Sequence, residues 1–297
     1  MSPIVGIGEV LWDVYPDGRK VAGGAPFNFA FHCHRLGHPS VIVSRVGNDD
    51  LGSELREHIR QLGLSDEFVQ TDEEHATGTV QVVLDANAVP TYTITENVAW
   101  DHIEWDDKLA NLSERTRSVC FGSLACRSED SIDALSEFGR GRFTHRIYDV
   151  NLRQNYFTPT LLGWGLARAH WIKISDEEIG RFADAFGLEI SSLSQFHKSL
   201  LVPGQLLIMT RGAGGCELVW PEHDEHFHQP GVPARVVDTV GAGDAFTAAM
   251  ACLHLEGRSL RECARFAAQY AARVCEHPGG TPRIDRSEVE RAAGLKS

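Results

Sequence analysis

Short apolar runs recur along the chain at residues 4–8, 41–46, 118–122, 146–150, 171–174 and 206–210. Their length and lack of polar alternation fit strands buried on both faces. Between them, apolar positions recur at helical spacing. Gly52–Leu62 places Leu55, Ile59 and Leu62 on one face and stops at Gly63, a residue suited to a helix C-terminus. Ser259–Glu276 opens on Ser259 and Glu262, the spacing of a capping box, and then turns Ala-rich. Ala245–Leu255 is apolar almost all round and predicts a buried helix, with Ala234–Val237 before it reading as a strand. Strands alternating with helices predict an α/β fold with a mostly parallel sheet covered on both faces.

Residues 76–96 break that rhythm. Thr and Val dominate two runs around a turn at Asp85–Pro90, which predicts an antiparallel hairpin. A second short strand pair flanks Pro16–Arg19. Two hairpins beside a parallel sheet make a small β layer, either a lid over a cleft, an edge of the sheet or a dimer contact. The expected division is a core of residues 1–10, 31–75 and 101–297, with the β layer at 11–30 and 76–100. No fixed-period repeat and no low-complexity linker interrupts it.

Composition narrows the partners. The 297 residues carry a net charge of −13 and no Lys/Arg block of five, which argues against nucleic acid and anionic membrane surfaces. An anionic ligand therefore needs a local positive site. The seven cysteines form no Cys-x-x-Cys pair and sit mostly in apolar segments, as buried thiols of a reducing, cytoplasmic compartment would. The opening MSPIVGIGEVLWDV reads as a strand of the fold and not as a signal peptide, and no apolar run has the length of a membrane span.

The stretch with most chemical content is DTVGAGDAF, residues 238–246. It reads as a turn entering the buried helix. The first N–H groups of a helix lack partners, and its dipole presents positive potential there. Gly241, Ala242 and Gly243 have almost no side chain, so an anion can approach the backbone closely. Asp244 then lies in or just before the first turn. Taken alone it reads as a helix cap, because acids are favoured there. Capping, however, does not require three tiny residues in a row. A carboxylate beside a phosphate is repulsive unless it accepts a proton from an attacking hydroxyl.

DTVGAGDAF resembles the C-terminal signature of the PfkB, or ribokinase-like, family of sugar kinases. Other motifs follow the family in order and spacing: GGAPFNFA (Gly23–Ala30), RVGNDDLG (Arg45–Gly52), DVNLR (Asp149–Arg153), KISDEE (Lys173–Glu178) and TRGAGG (Thr210–Gly215). The resemblance covers essentially the whole chain. It implies a Rossmann-like three-layer α/β/α fold with a β lid, ATP with Mg2+, and transfer of the γ-phosphate to a sugar hydroxyl. It implies Asp244 as catalytic base and the amides of Gly241, Ala242 and Gly243 as anion hole. It assigns Asp13, Gly23, Gly24 and Asn28 to the sugar, and Arg153 to the sugar or the transferring phosphate. A carboxylate and an amide suit a polyol because both pair with hydroxyls. Lys173, Thr210, Gly212 and Gly215 are expected along ATP. Glu178 is expected to organise Mg2+ through water, although Ser175 to Glu178 is equally a capping box, and the family's Asn is Ser here. HPGGTP (His277–Pro282) reads as a helix stop. By resemblance it lies near adenine and, with the backbone around Asp238, is where a monovalent cation such as K+ would bind.

GEVLWD, GGAPFNFA and TITENVAWD look most like the bacterial fructokinase branch, which implies fructose phosphorylated at O6. The alternatives are another sugar or sugar acid, such as ribose or 2-keto-3-deoxygluconate, or a sensor without catalysis on the same fold. A homodimer through the lid is a further arrangement the resemblance allows. His32, His34 and His38, and His223, His226 and His228, lack the Cys or acidic companions of a zinc site and read as exposed or helical histidines. There is no P-loop, and GIGEVLW lacks the third Gly of a dinucleotide fingerprint.

Overall fold

The computed structural model describes residues 2–84, 90–190 and 192–295. Along the chain, β1 (Ile4–Ile7) is followed by β2 (Leu11–Val14), β3 (Lys20–Gly23), α1 (Ala25–Arg35), β4 (Ser40–Gly47), α2 (Asp50–Gln61) and β5 (Val69–Asp72). The pair β6 (Thr79–Leu84) and β7 (Pro90–Ile94) precedes α3 (Asp107–Arg115), β8 (Ser118–Gly122), α4 (Glu129–Phe138) and β9 (His145–Asp149). Next come α5 (Pro159–Arg168), β10 (Trp171–Ser175), α6 (Asp176–Ala185), α7 (Leu193–Leu200), β11 (Leu206–Thr210), β12 (Cys216–Trp220) and β13 (Glu225–Gln229). The chain closes with α8 (Ala242–Leu255), α9 (Leu260–Cys275) and α10 (Arg286–Ala292).

Local chemistry explains the helices. Asp49 caps α2 by accepting from Gly52 N at 2.7 Å, and Leu55 and Ile59 bury its apolar face. Ser259 and Glu262 form the expected capping box on α9, whose apolar face buries Cys263, Ala264, Phe266, Ala267 and Tyr270. In α8 every residue from Ala245 to Leu253 is buried, because α1 packs on one side and α9 on another.

Nine strands form the main sheet, in the order β13-β12-β11-β10-β9-β8-β1-β4-β5. It is parallel from β11 to β5, and β12 and β13 add an antiparallel edge. Alternate residues of each inner strand feed opposite faces. Leu206 and Ile208 pack with α8 and α9, while Leu207 and Met209 join the core beneath α3 to α7. The result is three layers, helix on sheet on helix, as the strand–helix alternation predicts.

The second sheet has the order β3-β2-β6-β7. Both short strand pairs, the one expected from the Thr/Val pattern of residues 76–96 and the one flanking Pro16–Arg19, are present, joined by a parallel β2–β6 pairing. Of the turn at Asp85–Pro90, residues 85–89 lie outside the described residues, and Pro90 opens β7. Leu11, Val80, Ile94, Val98, Trp100 and Leu124 form a small core beneath this sheet. Since α1 packs against β1, β4 and α8, we propose that the lid boundary falls at Gly24 and not inside the helix at residue 30.

One element departs from expectation. Ala234–Val237 is not a strand, so the motif after it is a coil-to-helix turn. Its backbone bonds leave the sheet: Val237 N and Asp238 N both donate to Cys275 O, at 2.8 and 3.2 Å, at the end of α9. Val236 and Val237 consequently stand 62% and 59% exposed. His32 is helical, within the exposed-or-helical expectation, and fully buried: its Nε2 donates to Gly280 O at 2.9 Å and its Nδ1 pairs with Tyr270 Oη at 3.1 Å. No group of three or more potential metal-binding side chains occurs among the described residues.

Candidate active site

Parallel strands deliver their carboxyl ends to one edge, and ligands of open α/β sheets bind there. Register places Asp149 of β9 beside Lys173 of β10, and Ser175 of β10 beside Thr210 of β11. The N-terminus of α8 sits over this row. Gly241 is its N-cap, with a left-handed φ of 75°. A Cβ there would stand 2.5 Å from Gly280 Cα and 2.6 Å from Gly280 O, so the turn and the 277–282 loop meet backbone to backbone. A Cβ on Gly243 would stand 3.0 Å from Lys173 Nζ. No side chain caps α8, and Ala242 N makes only a long 3.3 Å bond to Thr239 O, so this helix N-terminus could receive an anion.

Asp244 lies in the first turn of α8 but does not cap it. Its Oδ2 accepts from Asn28 Nδ2 at 2.8 Å. Asn28 itself stands in the first turn of α1, so two helix N-termini converge on one carboxylate. Burial and then the Asp149 charge push the Asp244 carboxyl up to about 6, against Asn28, Lys173 and Arg153. Such a group is ionised near neutrality and still basic enough to accept a proton.

Below the turn, Lys173 Nζ donates to Asp149 Oδ1 at 3.0 Å, with both side chains buried. Burial would lower the ammonium's proton affinity, but Asp149, Glu178 and Asp244 outweigh it and hold Lys173 charged. Thr247 Oγ1 shares its one proton between Gly243 O at 2.9 Å and Asp149 Oδ2 at 3.3 Å, which ties the ion pair to the turn. Lys173 thus lies beneath the anion cradle.

Asp13 projects from β2. Burial pushes its carboxyl up to about 6, with Arg153 opposing. Gly23 leaves room for it, since a Cβ there would stand 3.2 Å from Asp13 Oδ2. Gly24 has φ 118°, and a Cβ would stand 2.3 Å from Glu9 O. Arg153 follows Asn151, at φ 41°, in the loop after β9. It is exposed, makes no ion pair among the described residues, and its charge reaches Glu9, Asp13 and Asp244.

Glu178 is a capping-box residue. Its Oε2 accepts from Ser175 N and Oγ, both at 2.8 Å, and its Oε1 accepts from Leu152 N at 2.6 Å. It therefore joins the start of α6 to the loop carrying Arg153. Asp238 accepts from Val240 N at 3.0 Å and Gly279 N at 2.9 Å, binding the turn to the 277–282 loop. Thr210 ends β11, and Gly212 and Gly215 shape the following turn. Gly215 has φ 90°, and a Cβ there would stand 2.0 Å from Gln229 O.

A model of the pfkB family of carbohydrate kinases matches residues 14–286. The chain belongs to that family. It is a sugar kinase of the pfkB type, and its layered sheet with a four-stranded companion is the ribokinase-like fold. An uncharacterized sugar kinase of Pyrococcus horikoshii, PH1459, is 31% identical over 300 residues, covering 95% of this chain and 93% of that protein. A crystal structure of that kinase in complex with ATP has a TM-score of 0.80 at 27% identity, covering 97% of both chains. A fructokinase of Klebsiella pneumoniae is 28% identical, covering 82% of this chain and 81% of its own. A fructokinase of Xylella fastidiosa with bound ATP has a TM-score of 0.83 at 20% identity, a likeness of fold, covering 98% of this chain and 99% of that one.

Within this pfkB chain, Asn28 and Asp244 meet directly, and Lys173 lies under the Gly241–Gly243 turn. Asp13, Arg153 and Asp244 share one electrostatic neighbourhood, while Asp238 and Glu178 act on the backbone. Sequence reasoning missed Glu9, Thr247 and the structural part of Asp149. Glu9 is 2% exposed and bonds Ala25 N at 3.2 Å. Its signal was available: an acid set between apolar residues where a buried strand ends.

Proposed function

We propose that this kinase transfers the γ-phosphate of ATP to a primary hydroxyl of a sugar. D-fructose is the acceptor we favour, and fructose 6-phosphate the product. The observation that carries the proposal is Asp244, a carboxylate in an uncapped helix N-terminus that accepts its hydrogen bond from Asn28 and not from the helix. Fructokinases among the relatives, such as that of Klebsiella pneumoniae, support the choice of sugar.

In this mechanism Asp13 and Asn28 hold the sugar. Asn28 Oδ1 is buried without a partner among the described residues, and a sugar hydroxyl would satisfy it. Asp244 accepts the proton of the attacking hydroxyl. The freed oxygen forms a bond to the γ-phosphorus as the bond to the bridging oxygen breaks, and ADP leaves. The N–H groups of residues 241–244 receive the charge of the transferring group, Ala242 N by leaving its 3.3 Å bond to Thr239 O. Arg153 is the cation free to reach that group. The nucleotide lies along Thr210, Gly212 and Gly215, and exposed Val236, Val237 and Val240 beside the Gly241 turn offer apolar surface to a base. The lid sheet closes over the sugar and keeps water from the phosphate.

Glu178 and Asp149 have their oxygens engaged by protein donors, which fits a Mg2+ ion carried by phosphates and its own waters. Bound there, Mg2+ supplies positive charge against the phosphates. Because Asp238 is committed to two backbone N–H groups, K+ would be held by neighbouring carbonyls. Seven free thiols suit a cytoplasmic enzyme. Gln154 and Tyr156 bond the Tyr92 and Ile94 carbonyls of β7, which leaves β3 as the lid edge for a second copy.

The test is ADP release from Mg-ATP with fructose, ribose, glucose, 2-keto-3-deoxygluconate and a nucleoside. Strong turnover on fructose alone is the expected result. Turnover on another member would keep the mechanism and reject fructose. Sugar binding without ADP release would reject catalysis.

A further inference from the structure

The proposed reaction leaves one buried acid beside the site without a task. Glu9 follows Gly8, at φ 140°, where β1 gives way to the lid, and it is 2% exposed. Its Oε1 accepts from Ala25 N at 3.2 Å, the first N–H of α1. Among the described residues no other side chain caps that helix: its N-cap is Gly24, without a side chain, and Pro26 has no N–H. Gly24 and Glu9 also touch through their backbones, because any Cβ on Gly24 would meet Glu9 O. One turn along α1 stands Asn28, whose Nδ2 holds Asp244 Oδ2 at 2.8 Å. A short chain of contacts therefore runs from Glu9 through the α1 terminus to the catalytic carboxylate.

The other oxygen of Glu9, Oε2, is buried and has no partner among the described residues. The charged groups facing Glu9 are Asp244 on α8, which disfavours its ionisation, and Arg153 in the loop after β9, which favours it. The Cys120 and Cys126 thiols on its remaining sides feel its charge. A neutral carboxylic acid suits this position, since it can accept from Ala25 N without adding a second charge beside Asp244.

We propose that Glu9 is a positioning residue for Asp244, which fixes the N-terminus of α1 and thereby the Asn28 amide. The proposal rests on Asp244 acting as base in a sugar kinase. Burial pushes Glu9 up to about 7 and Asp244 up to about 6, so as pH rises Asp244 ionises first and Glu9 follows. Ionised Glu9 would repel both Asp244 and the incoming phosphate. Turnover should therefore decline on the alkaline side through Glu9.

Two variants separate the roles. Glu9→Gln keeps an acceptor for Ala25 N and cannot ionise. Glu9→Ala removes the acceptor. Wild-type ADP release on its best sugar is measured first, because its failure would reject the kinase mechanism and not this contact. The expected result is that Glu9→Ala lowers kcat about 10- to 100-fold, as small misplacements of reacting groups do, with less change in the KM for ATP. Glu9→Gln should restore kcat to within about threefold and abolish the alkaline decline. Hydrogen exchange gives a readout independent of activity. In Glu9→Ala the amides of residues 27–29 should exchange about tenfold faster, as after loss of a helix cap, and in Glu9→Gln they should not. Unchanged kcat and unchanged exchange in folded Glu9→Ala would overturn the proposal. So would a Glu9→Gln variant as impaired as Glu9→Ala.

Discussion

Replacing Asp244 by Asn should destroy turnover while making the protein more stable at neutral pH. The Asp244 carboxyl stands at about 6 against an ordinary 3.8. A tenfold change in proton affinity corresponds to about 1.4 kcal/mol, so ionising this carboxyl in the folded protein costs about 3 kcal/mol relative to the unfolded chain. A raised folded value gives stability that is complete below the unfolded value and is lost as pH rises through the folded one. The loss for Asp244 thus falls between about pH 4 and pH 6. Asn has no charge to bury, and its carbonyl can still accept from Asn28 Nδ2. Between about pH 4.5 and pH 8 the stability of Asp244→Asn relative to wild type should grow by about 2 kcal/mol. For a chain of this length that is about 4 °C in Tm. Turnover should fall about 10²- to 10⁴-fold, the usual contribution of a general base. In the wild type, kcat should drop about tenfold for each pH unit below about pH 6. The assays are ADP release and thermal melts of both proteins at the two ends of that pH range. A stability difference that does not change with pH would refute the burial account of Asp244. Near-wild-type turnover in the variant would refute its role as base.

Two further substitutions probe the turn before that carboxylate and the support of the lid. Gly241→Ala introduces a left-handed Ala and a clash with the Gly280 backbone, and should lower stability by about 1–3 kcal/mol and depress kcat. A variant matching wild type in melts and turnover would show that the turn can relax. Arg127→Ala leaves Asp101 buried without the guanidinium that now binds both its oxygens at 2.7 and 2.8 Å. Arg127 also stacks on Trp100 and Tyr156 beneath the lid, so the expected loss is about 3–5 kcal/mol, read by urea denaturation. A loss under about 1 kcal/mol would mean the pair is solvated.

The sequence determined whatever depends on near neighbours along the chain. Ser259 and Glu262 are three residues apart, so their capping box is legible without any fold. Leu55 and Ile59 share a helix face for the same reason, and the runs at β8 to β11 are apolar because both faces of an inner strand are covered. Motif order sufficed to indicate the family. Where contacts are distant, local pattern failed. β13 buries only Phe227 and exposes His226 and His228, so this edge strand looked polar. Ala234–Val237 looked like a strand because it is apolar, yet the N–H groups of Val237 and Asp238 turn to Cys275 O.

The site shows the same division. Asp244 taken alone read as a helix cap, and the meeting of α1 with α8 gives it the Asn28 amide as partner, which supports the proposed role as base. Asn28 is 216 residues from Asp244, and its amide reaches that carboxylate because two helix termini converge at the carboxyl edge of the sheet. Glu9 and Ala25, the Lys173–Asp149 pair and the Gly241–Gly280 contact are likewise products of strand order. Hydrogen-bond periodicity fixes an element from a handful of adjacent residues. Charge, burial and proton affinity are set by what packs around a group in space, and that belongs to the tertiary structure.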